Sequence, residues 1–340
     1  MNFRVGGHLL GLHRVQKPSG FLPQAAKCLD ASLPPYENEI TVKVSMLQID
    51  SASFKNLQNK GTSIATQICD IVSKSGKMHN PETNSGGVFL GNVSYVGSKH
   101  SLHQKIHEGD SVISLVSLSL TPLHIEKVIE VDFDRERVLI DGHAIIFESG
   151  MISLIPKNFK EGVALAALDI CGAPAQTKRL VKKGDTLLVL GLGKAGKTIA
   201  LQGELNGAHV LGIDPDPEAV LWCQKNLKGT FEKLDATNPV SVLEWVESKN
   251  RRSLLPDIVI SAVNAPGCEI SAILPVKQGG QVLFFGMNTS FGRAVLGAEG
   301  IGKDVTLLMG NGYVPGHADL MFNLLQDHKV LREWFEEKFG

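Results

Sequence analysis

The sequence predicts an α/β chain of two domains, a doubly wound parallel sheet joined to a β-rich module. Three observations carry that expectation. Residues 1–160 hold short apolar runs bounded by Gly, Asn and Asp; from Gly162 onward helical and strand-like patterns alternate; and one strand runs straight into GLGKAG, a glycine loop that opens a helix. A length of 340 residues suits about two domains of ordinary size.

In chain order, EITVKVSMLQI, GGVFLGNVSYVG, DSVISLVSLSL, IEKVIEVD and RVLIDGHAIIF read as the strands of a barrel-like module. One stretch breaks the pattern: Ile64, Ile68, Ile71 and Val72 recur at helical spacing ahead of the polar loop KMHNPETNSGG. Beyond the module, DTLLVLG, HVLGID, DIVISAV and QVLFFGM are nearly continuous apolar runs, as strands buried on both faces must be. Helical stretches of suitable length separate them, which assigns residues 161–305 to the second domain. Residues 306–340, with Leu320, Leu324 and Leu325 at helical spacing, are expected to return to the first module. No internal repeat or low-complexity tract is present.

The hydrophobic share of 43% allows a large core, and Lys+Arg 34 against Asp+Glu 35 leaves no electrostatic footprint for nucleic acid or an anionic membrane. The expected partner is a small molecule. MNFRVGGHLLGLHRV mixes charge and glycine through what would be the apolar core of a signal peptide, and no stretch approaches ~18 apolar residues. Five scattered cysteines (Cys28, Cys69, Cys171, Cys223 and Cys268) form no CxxC pair, which argues for reduced thiols and a cytoplasmic protein rather than a disulfide framework or a cysteine zinc site.

The glycine loop has the layout of a Rossmann unit. Gly191 permits a tight turn, Gly193 lets the backbone approach a pyrophosphate, and Gly196 lets helix pack on strand. Leu192, Lys194 and Ala195 complete the loop, and Asp214 ends the next strand, placed to accept ribose hydroxyls and to repel a 2′-phosphate. NAD is therefore favoured, with NADP possible if neighbouring residues override one aspartate. Asp214 could instead cap the turn DPDP. Ala262, Val263, Asn264, Phe285, Gly286 and Met287, at the ends of later strands, are expected to border the cofactor.

The same loop satisfies GxxxxGKT, with Lys197 and Thr198 in phosphate-loop positions. An ATPase would need Lys197 on the β/γ-phosphates and Thr198 on magnesium. That reading leaves the β module unexplained and is not preferred.

The order of pieces (VSYVG, EGDSV and LIPKNFKEGVALAALDICGAPAQT ahead of the glycine loop) resembles the medium-chain dehydrogenase/reductase superfamily over nearly the whole chain. The resemblance sharpens in HRV, IDSASF, GKMHNP, SGG, LVSLSLTPL, FESG, DATNPV, LGAEGIGKDV and GNGYVPGHA, which look like the L-erythro-3,5-diaminohexanoate dehydrogenase family. It implies a GroES-like catalytic domain over residues 1–160 and a Rossmann domain over 161–305. The implied reaction is conversion of 3,5-diaminohexanoate, water and NAD(P)+ to 5-amino-3-oxohexanoate, ammonia and reduced cofactor in lysine fermentation. A homodimer or homotetramer built through the nucleotide-domain sheet is implied as well. Where the zinc-dependent branch carries a Cys and then GHE, this chain has Asp50 and Ser85-Gly86-Gly87; Cys171 alone matches a third ligand, so a zinc-free centre is expected. His100, His103 and His107 have metal-like spacing but read as solvated surface histidines.

Oxidative deamination needs a neutral amine before hydride can leave, then a base for the water that attacks the iminium. Asp50 is the first candidate base, although it could merely cap a helix before SASF. Glu148 is a candidate second carboxylate or ammonium anchor, and His79 a proton shuttle. Lys77 or Asn80 could meet the substrate carboxylate, and Ser51 and Ser53 could donate or orient. Glu299, Lys303, Asn311 and His317 lie where the chain leaves the nucleotide domain, where a cleft is expected. Two other readings remain open: a zinc-independent reductase of enones or ketones, and a nucleotide sensor without turnover.

Overall fold

The computed structural model describes residues 3–59, 61–81, 84–249, 255–286, 288–310 and 312–340. It divides into two compact units: Met1–Asp169 with Trp334–Gly340, and Ile170–Glu333. Among the described residues no helix is long and apolar enough to cross a membrane.

The first unit contains β1 (Val15–Lys17), β2 (Cys28–Leu29), β3 (Ile40–Gln48), α1 (Ser51–Gln58), α2 (Ile64–Ser75), β4 (Val88–Val96), β5 (Ser111–Ser114), β6 (Leu123–Asp132), β7 (Arg137–Ile146), β8 (Ile152–Leu154) and α3 (Glu161–Leu168). Its main sheet is antiparallel, in the order β6-β7-β3-β4-β5-β8. Ile40, Val42, Val44 and Leu47 of β3 enter a core with Phe89, Val93, Val138 and Ile140, and α2 adds Ile64, Ile68 and Val72. The helical spacing read between Ile64 and Val72 is thus one buried face. Gly76 ends α2 at φ 64°, a left-handed cap that glycine adopts without a Cβ penalty. Helix α1 escapes pattern reading because SASFKNLQ carries only Phe54 and Leu57 as large apolar residues; Asp50 starts it by accepting from the Ser53 amide.

The second unit contains α4 (Gly172–Leu180), β9 (Thr186–Leu190), α5 (Lys194–Leu205), β10 (His209–Asp214), α6 (Pro217–Asn226), β11 (Thr230–Lys233), α7 (Pro239–Lys249), β12 (Ile258–Ser261), α8 (Glu269–Ile273), β13 (Gly280–Phe284), α9 (Phe291–Gly300), β14 (Val305–Met309) and α10 (His317–Asp327), followed by α11 (Lys329–Phe339). The sheet order is β11-β10-β9-β12-β13-β14, and every pairing is parallel. This is the doubly wound order with its switch point between β9 and β12.

The sequence boundaries at 160 and 305 both move. Helix α3 belongs to the first unit. At the other end VTLLM continues the parallel sheet beside β13, so the return to the first unit begins at Trp334 rather than at 306. Phe335 is fully buried there, and the Arg137 guanidinium holds the chain end by donating to the carbonyls of Gly162 (2.7 Å) and Phe339 (3.2 Å).

Candidate active site

At the carboxyl ends of the second unit's strands, each glycine of the loop has its own reason. Gly191 turns at φ +86°, with the Ala262 backbone 3.2 Å from where a Cβ would stand. A Cβ on Gly196 would come within 1.8 Å of the Gly191 carbonyl, whereas one on Gly193 would meet nothing within 4 Å. Gly193 caps α5 without a side-chain partner, so the loop leaves open backbone where a pyrophosphate must approach. Lys194 and Ala195 begin α5. On the far side of the switch point, after β12 and β13, the amides of Phe285 and Gly286 donate to Ser261 O at 2.8 and 3.2 Å. A Cβ on Gly286 would lie 2.2 Å from Val263 O, and Asn288 donates to Asn264 O, which stitches the two strand-end loops together. Met287 lies outside the described residues.

Asp214 accepts from the Leu192 amide (2.6 Å) and the Asp216 amide (2.8 Å). It therefore fixes the glycine loop and caps the DPDP turn at once, and each oxygen keeps a lone pair for a ribose hydroxyl. The phosphate-loop alternative fails on geometry. Lys197 is buried, donates to Leu192 O at 2.7 Å and lies over the Trp222 ring at 5.4 Å, while Thr198 donates back to Ala195 O. Neither side chain faces a ligand on the loop.

In the first unit, Asp50, Ser53, Asn80 and Ser85 converge. Asp50 Oδ1 accepts from the Ser53 amide at 2.9 Å and Oδ2 from Ser85 Oγ at 2.8 Å. Ser53 Oγ lies 3.0 Å from Ser85 Oγ and accepts from Asn80 Nδ2 at 3.0 Å. The Asn80 amide in turn donates to Ser85 O at 2.7 Å, which closes the loop onto the helix start. Ser53 and Asn80 are buried, while Asp50 and Ser85 are half-buried, so the Asn80 end of the chain of bonds is sheltered and the Asp50 end is not. Next to Asn80 in the chain is His79, whose Nδ1 is buried without a partner. Burial pushes its pKa below 6.5, the nearby Lys77 charge acts in the same direction, and the Lys77 carbonyl opposes them.

Other expected site residues lie elsewhere. Ile40 faces Ile146 and Gln48 faces Arg137, so Glu148 follows β7 at the end of the sheet where β3 begins, while Asp50 follows β3 at its other end. Over the nine residues of β3, at ~3.3 Å each, the two carboxylates are on the order of 25 Å apart and cannot share one substrate carbon. Glu299 and Lys303 precede β14, whose Val305 pairs with Gly280, and so stand at the amino ends of the strands, opposite the glycine loop. Glu299 is exposed and Lys303 donates to Leu274 O at 3.0 Å. Lys77 is buried and donates to the carbonyls of Pro23 and Gln24, both at 2.9 Å, with burial pulling its pKa down to about 8. It ties down a loop rather than presenting an ammonium. His317 is buried at the start of α10, edge-on to Tyr313 at 5.3 Å. Asn311 and the Ser51 side chain lie outside what is described. Of the three spaced histidines His100 is buried, not solvated, with Nδ1 accepting from the Leu102 amide and Nε2 against Phe147 O.

The residues present do not fit a catalytic zinc of the GHE type. A Cβ on Gly86 would lie 2.6 Å from Met78 O and Ser119 N, and one on Gly87 would lie 2.0 Å from Gln48 O, so neither position admits a ligand side chain. Among the described residues no group of three His, Cys, Asp or Glu could hold a metal.

Comparison with known proteins decides the family. Residues 13–156 match the family model described as the L-erythro-3,5-diaminohexanoate dehydrogenase N-terminal domain. The L-erythro-3,5-diaminohexanoate dehydrogenase of Acetoanaerobium sticklandii is 40% identical over 97% of this chain and 98% of its own length. That of Fusobacterium nucleatum subsp. nucleatum is 41% identical over 96% and 97%. The chain belongs to the L-erythro-3,5-diaminohexanoate dehydrogenase family. Its fold is that of the medium-chain dehydrogenase/reductases. A mycobacterial protein complexed with NADPH superposes with TM-score 0.56 at 15% identity, covering 93% of this chain and 94% of that one. Within this dehydrogenase family member, sequence reasoning had named Ser85 only as a stand-in for a lost zinc motif. The signal for its role was the spacing Asp50-x-x-Ser53, which makes Asp50 a cap and leaves its second oxygen for Ser85.

Proposed function

We propose that the chain oxidatively deaminates L-erythro-3,5-diaminohexanoate to 5-amino-3-oxohexanoate and ammonia, with NAD+ accepting the hydride. The observation that carries this reading is Asp50. The superfamily resemblance puts this carboxylate where the zinc branch carries a thiolate, and it is held by an amide and a hydroxyl with lone pairs to spare. A fixed anion attracts an ammonium, accepts its proton and so frees the nitrogen lone pair that must push hydride out. A reductase of neutral enones or ketones has no use for such a charge. Water then adds to the iminium and ammonia departs, which makes the overall balance ketone, ammonium, NADH and one proton.

Asp214 supports NAD over NADP, because its carboxylate would meet a 2′-phosphate with like charge. The open edge of β14, beside an α9 that exposes Phe291 and Leu296, supports a homodimer or homotetramer formed through this sheet. Five free thiols support a cytoplasmic location, and glycines that admit no side chain where the zinc branch carries GHE support a metal-independent reaction. Fluorescence titration with NADH and NADPH, together with turnover of the diamino acid against lysine and simple alcohols, tests the reading. Tighter NADPH binding overturns the cofactor assignment, and turnover confined to alcohols overturns the substrate.

A further inference from the structure

The reaction needs two proton acceptors at different moments, one for the substrate ammonium and one for the water that attacks the iminium. Asp50 suits the first by charge. For the second, the geometry points to His79: we propose that its Nδ1 takes the proton of the hydrolytic water. This rests on the deaminase reading above.

Two features of the fold carry it. Nδ1 is buried with no hydrogen-bond partner, a condition that costs free energy unless something in the working enzyme supplies a donor. The residue is also the immediate neighbour of Asn80, whose side chain begins the hydrogen-bond chain that ends on Asp50. An O–H from water would satisfy the orphaned nitrogen. Burial and the Lys77 charge lower the pKa of the ring, against a hydrogen bond with the Lys77 backbone, and so favour the neutral form that can accept. The water O–H bond breaks as the new C–O bond forms and the proton moves to Nδ1. The resulting imidazolium returns it to the carbinolamine nitrogen; the C–N bond then breaks, and the hydroxyl proton leaves with the ammonia as ammonium.

Hydride transfer precedes this step, so the test separates the two in time. In His79→Asn an amide oxygen can replace the acceptor but not the base. Its first turnover should form NADH at the wild-type rate, in a burst of about one per site, while ammonia release and steady-state turnover fall about a hundredfold. In His79→Ala, added imidazole should restore ammonia release. Unchanged NADH binding by both variants shows that they fold. Wild-type ammonia release by His79→Asn, or loss of the NADH burst along with it, overturns the proposal. A wild-type enzyme that forms neither NADH nor ammonia from the diamino acid overturns instead the deaminase reading on which it rests.

Discussion

Ser85 Oγ donates to Asp50 Oδ2 at 2.8 Å, and this one bond orients everything behind it. An ionised carboxylate only accepts, so the Ser85 proton points at Asp50; Ser85 can then only accept from Ser53, and Ser53 from Asn80. The polar cluster is a directed chain with its negative end at Asp50. Such chains strengthen each member and hold the terminal oxygen in place.

Replacing Asp50 by Asn tests charge separately from shape. Asn caps a helix about as well as Asp, so the unfolding midpoint should change little. Turnover should fall at least about a hundredfold, with NADH binding unchanged. Stopped-flow absorbance should show the loss already in the first turnover, in contrast to His79→Asn. A full-sized NADH burst from Asp50→Asn would remove Asp50 from the deprotonation step.

The glycine loop makes two opposed predictions. Gly196→Ala forces a methyl into the Gly191 carbonyl and should cost both stability and NADH binding. Gly193→Ala meets no protein atom and keeps an ordinary φ of −68°, so it should fold normally yet bind NADH roughly tenfold more weakly, because the methyl stands in the path of the pyrophosphate. Thermal unfolding paired with fluorescence titration checks both.

Lys197→Met should destabilise the second unit by about 1–3 kcal/mol, since the Leu192 carbonyl loses its buried donor. NADH affinity should stay within a few-fold of wild type. Abolished binding at unchanged stability would instead mean that Lys197 holds a phosphate.

The first unit also carries a buried ion pair outside the polar cluster. Arg14 donates through Nε and Nη2 to the two oxygens of Glu39 at 2.9 and 2.6 Å, with both side chains fully buried. Glu39→Gln should cost about 3–5 kcal/mol, because the buried guanidinium loses its two-point counter-charge and keeps only the Asp30 carboxylate at 3.4 Å. Burial alone would raise the Glu39 pKa, but hydrogen bonds from His13 and Arg14 outweigh it and hold the group below 4.5. The stabilisation is then complete above pH 4.5 and disappears as the pH falls through the lowered value. Urea unfolding across that range should show a steep acid loss in the wild type and a shallower one in Glu39→Gln.

The fold was legible wherever burial is two-sided. DTLLVLG, HVLGID, DIVISAV and QVLFFGM are the four inner strands β9, β10, β12 and β13, and their continuous apolar runs announce them. The two edge strands, β11 with TFEK and β14 with VTLLM, carry mixed exposure and leave only a faint pattern. Missing β14 moved a domain boundary. In the site, local signals succeeded and distant ones failed. Asp50 and Ser53 are three residues apart, and the helix cap that stood as the alternative to a base at Asp50 forms. Glu148 was paired with Asp50 by residue type alone, and only the β3–β7 register shows the two at opposite ends of the sheet. Lys77 looked like an anion binder, since nothing in GKMHNP reveals that the carbonyls of Pro23 and Gln24 receive it.

The most direct test of the central claim is the stoichiometry of ammonia to NADH formed by chelator-treated enzyme from NAD+ and L-erythro-3,5-diaminohexanoate, read by absorbance and an ammonia assay in the same cuvette. The account predicts about one ammonia per NADH, with undiminished rate after metal removal. NADH formed without ammonia, or activity that returns only when zinc is added back, would contradict it.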